Sequence, residues 1–159
     1  MIKTKRLRIY PASKNQMESL IASQTDDGLK AAYTEMLENS LQHPDKREWY
    51  ALWIIELHDG TNIGGLCFKG IDAKGTAEIG YGISEEYQNQ GFATETVKAV
   101  CEWAFRNPEL TSITAETDSD NEASKRVLVK CGFTADCKSE CEGLRFTLTR
   151  VLDRKATEG

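Results

Sequence analysis

Histidine and proline are scarce, two and three among 159 residues, and no positive charge is in excess. The five cysteines, Cys67, Cys101, Cys131, Cys137 and Cys141, are an odd number, with no CxxC pair and no histidines at ligand spacing. Neither a disulfide framework nor a metal site is therefore expected, and reduced, mostly buried thiols are the simpler expectation. The 20 Lys and Arg against 25 Asp and Glu leave a net charge of −5, without the field that generic nucleic-acid binding requires. No apolar run approaches the roughly 20 residues of a membrane span, and the opening Met1-Ile2-Lys3-Thr4-Lys5-Arg6 lacks a signal-peptide core. A cytoplasmic protein with no nucleic-acid and no membrane partner is expected.

What is present is a globular composition, 40% hydrophobic and 28% charged, sized for one domain over 1–153 with a short tail over 154–159. Leu7 to Tyr10 alternates as a strand and stops at Pro11, after which Ser13 can cap a helix. Apolar spacing over 13–41 predicts two helices split near Asp26-Asp27-Gly28. His43-Pro44-Asp45 reads as a loop. Strands are expected over Tyr50–Leu57 and Asn62–Lys69, joined by the hairpin signal His58-Asp59-Gly60-Thr61, and a third over Thr76–Ile83. That third strand carries Glu78, Gly80 and Gly82 on one face, where something can approach the backbone closely. Gly91 opens an amphipathic helix ending near Asn107-Pro108, a strand follows over Ser112–Thr117, and Asp120 or Asn121 can cap a last helix stopped by Gly132. Closing strands over Phe133–Cys141 and Leu144–Val151 complete a mixed α/β domain of about seven strands and four helices.

The chemistry concentrates between the third strand and the Gly91 helix. Gln88-Asn89-Gln90-Gly91-Phe92-Ala93-Thr94 would aim backbone N–H groups out of a helix N-terminus, as a pyrophosphate cradle does. It is not a Walker loop, since no Gly-Lys-Ser/Thr follows, nor a GxGxxG dinucleotide turn. A glycine in such a turn is more often structural than functional.

Gln88-x-x-Gly91-x-Ala93 resembles the Q/R-x-x-G-x-G/A pyrophosphate loop of the GNAT acetyltransferase superfamily. Asn121-Glu122-Ala123-Ser124 with Cys131-Gly132-Phe133 is similar to the N-x-A-S…G-F segment of its ribosomal-protein N-terminal acetyltransferase branch, and Thr4-Lys5-Arg6-Leu7 to that branch's opening strand. The resemblance covers nearly the whole chain. It implies a twisted, mostly antiparallel sheet with a V-shaped opening, holding acetyl-CoA as co-substrate without a metal. The pantetheine would pair with backbone at Ile83, Ser84 and Glu85, the pyrophosphate would lie on Gln88 to Thr94, and Asn121 and Ser124 would meet the pantetheine arm. Asn121 fits a helix cap equally well.

The same resemblance implies direct transfer to a primary amine of a peptide N-terminus or a small molecule, with Glu116 as general base and Glu78 as second candidate. Glu116 fits a solvated or ion-paired strand carboxylate equally well. Leu128 departs from the family, many of whose members carry a tyrosine there as general acid; leucine has no proton to donate, which leaves Ser124 or an unassisted thiolate. Trp49, Tyr50, Trp53 and Tyr81 wall a cleft or belong to the core. A non-catalytic acyl-CoA-binding module is the alternative, an interaction platform a third; a monomer and a homodimer are both open.

Overall fold

A computed structural model of the protein describes residues 1–118, 120–136 and 143–150. Strand β1 (Ile2–Lys3) pairs Ile2 with Ile9 of β2 (Leu7–Pro11), whose Leu7 and Ile9 are fully buried. Ser13 then opens α1 (Lys14–Ser23) with a reciprocal capping box: its hydroxyl accepts from the Gln16 N–H, and the Gln16 carboxamide accepts from the Ser13 N–H. Asp26 caps α2 (Asp27–Gln42) by accepting from the Leu29 N–H, so the break falls where the Asp26-Asp27-Gly28 run places it.

The next stretch departs from expectation. His43-Pro44-Asp45 leads into a 3-10 segment over Pro44–Trp49, and the strand expected from Tyr50 begins at Trp53, as β3 (Trp53–Leu57). Trp49 and Ala51 are buried from this irregular backbone, so one apolar run crosses two conformations that periodicity does not separate. The hairpin to β4 (Asn62–Phe68) forms as read, with Gly60 at φ 93° and Asp59 accepting from the Thr61 N–H. β5 (Thr76–Ile83) has the expected bounds. α3 (Phe92–Ala104) buries Val97, Val100 and Ala104, each valine worth about 1.5–3 kcal/mol on transfer from water. β6 (Ser112–Asp118), α4 (Glu122–Lys130), β7 (Thr134–Asp136) and β8 (Gly143–Thr149) follow.

Among the described residues the sheet has eight strands in the order β1-β2-β3-β4-β5-β6-β8-β7, one more than expected, because the two-residue β1 is too short to show alternation. The closing strands are described only in part; Cys137, Cys141 and the 154–159 tail lie outside the described residues. Consecutive residues divide the two faces. Ile55 enters the main core with α3, whereas Ile54 joins Ala12, Met17 and Ala51 in a smaller cluster flanked by Met36 and Leu37 of α2.

The feature that positions the site is the one parallel pair among the described strands. β5 and β6 join only through Thr76–Glu78 and Ser112–Thr114. Beyond that point β5 stays paired to β4 as far as Ile83, and β6 to β8 as far as Asp118, so the sheet splays into the expected V. No helix among the described residues is long and apolar enough to cross a membrane.

Candidate active site

Between β5 and α3 the chain turns on two left-handed residues, Asn89 (φ 63°) and Gly91 (φ 84°). Gln88 donates its side-chain N–H to the Ile83 carbonyl at 2.9 Å, and Gln90 donates to the Glu86 carbonyl at 3.2 Å, which fixes the turn at both ends. The first helical bond of α3 is Glu95 N–H to the Gly91 carbonyl, and among the described residues the N–H groups of Asn89 through Thr94 meet no acceptor. Converging free N–H groups at a helix N-terminus form an anion cradle. A cavity of about 450 Å³ opens over them, bounded by Gly82 and Ile83 on one side and α4 on the other.

Gln88, Asn89, Gly91, Phe92, Ala93 and Thr94 line this cavity, together with Ile83, Asn121 and Ser124. Gln90 does not line it; its carbonyl accepts from Arg6 instead. Ser84 and Glu85 are not among the cavity's lining residues; the Ser84 N–H donates to the Ile63 carbonyl at 2.7 Å and Glu85 starts a 3-10 turn. Two residues that sequence reasoning missed also line the cavity, Arg126 and Lys130, one helical turn apart on α4. Neither is ion-paired among the described residues, so they set positive charge beside the cradle of a chain with net charge −5. Their i, i+4 spacing was the available signal, indistinguishable from any solvated helix face.

The turn is braced from behind by the start of the chain. Arg6 donates through Nε to Glu95 at 2.7 Å and through its backbone N–H at 3.0 Å, and Thr4 hydrogen-bonds the same carboxylate. The Arg6 guanidinium lies over the Phe92 ring, 4.1 Å from its centroid. Burial pushes the Glu95 carboxyl up, but the bonds from Thr4 and Arg6 outweigh it and hold its pKa below the ordinary value.

Tyr81 lies where the strands part. Its hydroxyl is 3.1 Å from Ser124 Oγ, and Asn121 caps α4 by accepting from the Ser124 N–H at 3.1 Å. Burial raises the Tyr81 pKa, and the Ser124 contact only partly reverses this. A second cavity, with Glu116, Asp118, Asn121 and Ser124, reaches Tyr81 from beside β6. A third, under α1 and α2, reaches it over Gly80 and Gly82, with Leu20, Tyr33 and Met36 opposite. A Cβ at Gly82 would meet nothing within 4 Å, so this part of the β5 surface is open.

Glu116 lines the second cavity half-exposed, its carboxylate accepting from Arg145 at 3.0 Å. Glu78 pairs with Lys69 at 2.5 Å, in the part of β5 still joined to β6, and is not among the residues lining these three cavities. Leu128 is fully buried in the core. Trp49 and Trp53 pack with Phe68 and Trp103 as core, Trp53 also edging the third cavity, and Tyr50 stacks on His43. Cys67, Cys101 and Cys131 are free thiols raised by burial, Cys101 to about 12, so none is a thiolate near neutrality. No cluster of metal-ligating side chains occurs among the described residues.

Residues 6–134 match the acetyltransferase (GNAT) domain family. The chain is similar to two uncharacterised N-acetyltransferases of Bacillus subtilis (strain 168): YoaA, 31% identical over 84% of this chain and 82% of that protein, and YjdG, 34% identical over 55% of this chain. It spans about half the length of YjdG, 53%, in that match. Its fold is similar to that of RimL, a ribosomal L7/L12 α-N-protein acetyltransferase solved with coenzyme A, at a TM-score of 0.73 and 16% identity, covering 92% of this chain and 95% of that one. With an unpaired N–H cradle in the mouth of a splayed β5–β6 pair, and a family match over most of its length, the chain belongs to the GNAT acetyltransferase family.

Proposed function

We propose that the protein transfers the acetyl group of acetyl-CoA directly to a primary amine, on a peptide N-terminus or a small molecule. The observation that carries this reading is the continuity of the N–H cradle of Asn89 to Thr94 with the hydroxyl pair Tyr81–Ser124, through one cavity that both line. The pyrophosphate is held at Gln88 to Thr94, with Arg126 and Lys130 supplying countercharge, and the pantetheine runs along Ile83, Ser84 and Glu85 beside Asn121. An amine entering over Gly80 and Gly82 meets an apolar wall from Leu20, Tyr33 and Met36, which favours an acceptor with an apolar body next to its amine.

An alkyl ammonium of pKa about 10, or an N-terminal one of about 8, must lose a proton before it attacks. Glu116, on the cavity wall, is the base ahead of Glu78, directly or through water. Its carboxylate accepts from Arg145 through Oε1, which fixes the side chain on that wall. Ser124 returns a proton to the leaving thiolate in place of the tyrosine that Leu128 displaces. A binding module would share the cradle but release no CoA. The test is thiol release from acetyl-CoA across an amine panel, with Glu116→Gln: turnover by the wild type and its loss in the variant, at retained acetyl-CoA affinity, support the reading. Unchanged turnover in Glu116→Gln removes Glu116 from the mechanism, and no release by the wild type leaves the binding module.

A further inference from the structure

We infer that Tyr81 is a positioning residue for proton transfer, its hydroxyl donating to Ser124 Oγ so that the single Ser124 proton is left directed at the departing CoA sulfur. The inference rests on the acetyltransferase reading and deepens it. Three observations carry it. The hydroxyls are 3.1 Å apart across 43 residues of sequence, a contact that only the fold creates. Tyr81 borders all three cavities, the cradle side, the Glu116 side and the glycine-floored side, so its ring stands where donor and acceptor must meet. Leu128, one helical turn beyond Ser124 on α4, is fully buried in apolar core and has no proton to give, so no acid stands at that place.

The direction of the bond follows from acidity. Each hydroxyl has one proton and can both donate and accept. A phenol is the stronger acid of the two, so the lower-energy arrangement has Tyr81 donating and Ser124 accepting. Ser124 then keeps its own proton for a third group. Burial keeps Tyr81 protonated well past neutral pH, so this arrangement persists through the working range.

In the step itself, the amine nitrogen forms a bond to the thioester carbonyl carbon and loses one proton to the base. The C–S bond breaks with its electron pair on sulfur, which takes the Ser124 proton. Ser124 recovers a proton from Tyr81, Tyr81 recovers one from water reaching it through the open cavities, and the hydroxide so formed takes the proton held by the base, which returns every group to its starting state. One proton leaves the amine and one ends on the thiol, so the sum is balanced as amine plus thioester giving amide plus CoA thiol.

The test is kcat and KM for Tyr81→Phe, Ser124→Ala and the double variant, with acetyl-CoA and an accepted amine. Phenylalanine keeps the ring and its packing, and the thermal midpoint checks that the fold is retained. Ser124→Ala should lower kcat about 100-fold, the lower end for a positioned proton donor. Tyr81→Phe should lower it about tenfold, as expected for one lost hydrogen bond. KM for acetyl-CoA should stay unchanged in Tyr81→Phe, and the double variant should be no slower than Ser124→Ala. Wild-type kcat in Tyr81→Phe, a loss confined to KM, or independent losses that multiply in the double variant would overturn the inference and leave the acetyltransferase reading standing. Absence of turnover by the wild type on every amine would overturn both.

Discussion

Arg6 and Glu95 tie the first residues of the chain to the first turn of α3: Nε meets the carboxylate at 2.7 Å, and Nη1 of the same guanidinium donates to the Gln90 carbonyl at 3.0 Å. The Gln90–Gly91 peptide is thereby turned so that its N–H faces away from Arg6. One side chain reads both the helix and the turn that precedes it.

This predicts a split between binding and stability for Arg6→Ala. The pair is partly exposed, at 40% and 19% of side-chain area, so its loss should lower stability by no more than about 1 kcal/mol. The turn loses its preorganisation, and the Kd for acetyl-CoA should rise about tenfold, the equivalent of 1.4 kcal/mol of ordering. Calorimetric titration and thermal unfolding of the same sample measure both.

Glu95 makes stability depend on pH with a definite sign. Its folded pKa lies below its unfolded value, near 4.3 for a free glutamate, so its contribution is present above that pH and is lost as pH falls through the folded pKa. Thermal midpoints of wild type and Glu95→Gln should differ at pH 6 and converge under strongly acidic conditions. A constant gap across the range would show that the carboxylate charge is not what the Thr4 and Arg6 bonds recognise.

Arg126 and Lys130 should act through charge alone. Replacing either with glutamine should weaken acetyl-CoA binding several-fold at low salt and flatten its salt dependence, because exposed charges are screened over about 8–10 Å at physiological ionic strength. kcat at saturating acetyl-CoA should not change. Titrations at two salt concentrations decide the matter.

Much of the site was legible because it rests on local backbone chemistry. The break at Pro11, the caps at Ser13, Gly91 and Asn121, and the whole of β5 are written in turn residues and in alternation that need no distant partner. The 3-10 segment over Pro44–Trp49 was not, because its buried Trp49 continues the apolar run of β3. β1 is too short to show a period, and it is held by Ile9, not by its own composition. Arg6, Arg126 and Lys130 look like any surface cation until the fold brings them to the turn and the cavity. The Tyr81–Ser124 contact is likewise non-local, and no spacing rule foretells it.

The use of acetyl-CoA is tested most directly by the thermal midpoint of the wild type and of Gly91→Glu, each with acetyl-CoA, CoA, ATP and no ligand. Gly91 sits at φ 84°, where a side chain is strained, and a Cβ there would meet the Arg6 guanidinium at 3.3 Å, the group that braces the turn. A wild-type shift with both CoA species, corresponding to roughly 2.7 kcal/mol at a hundred times Kd, with none for ATP and none in Gly91→Glu, is the predicted result. A wild type whose midpoint is unmoved by either CoA species would contradict it.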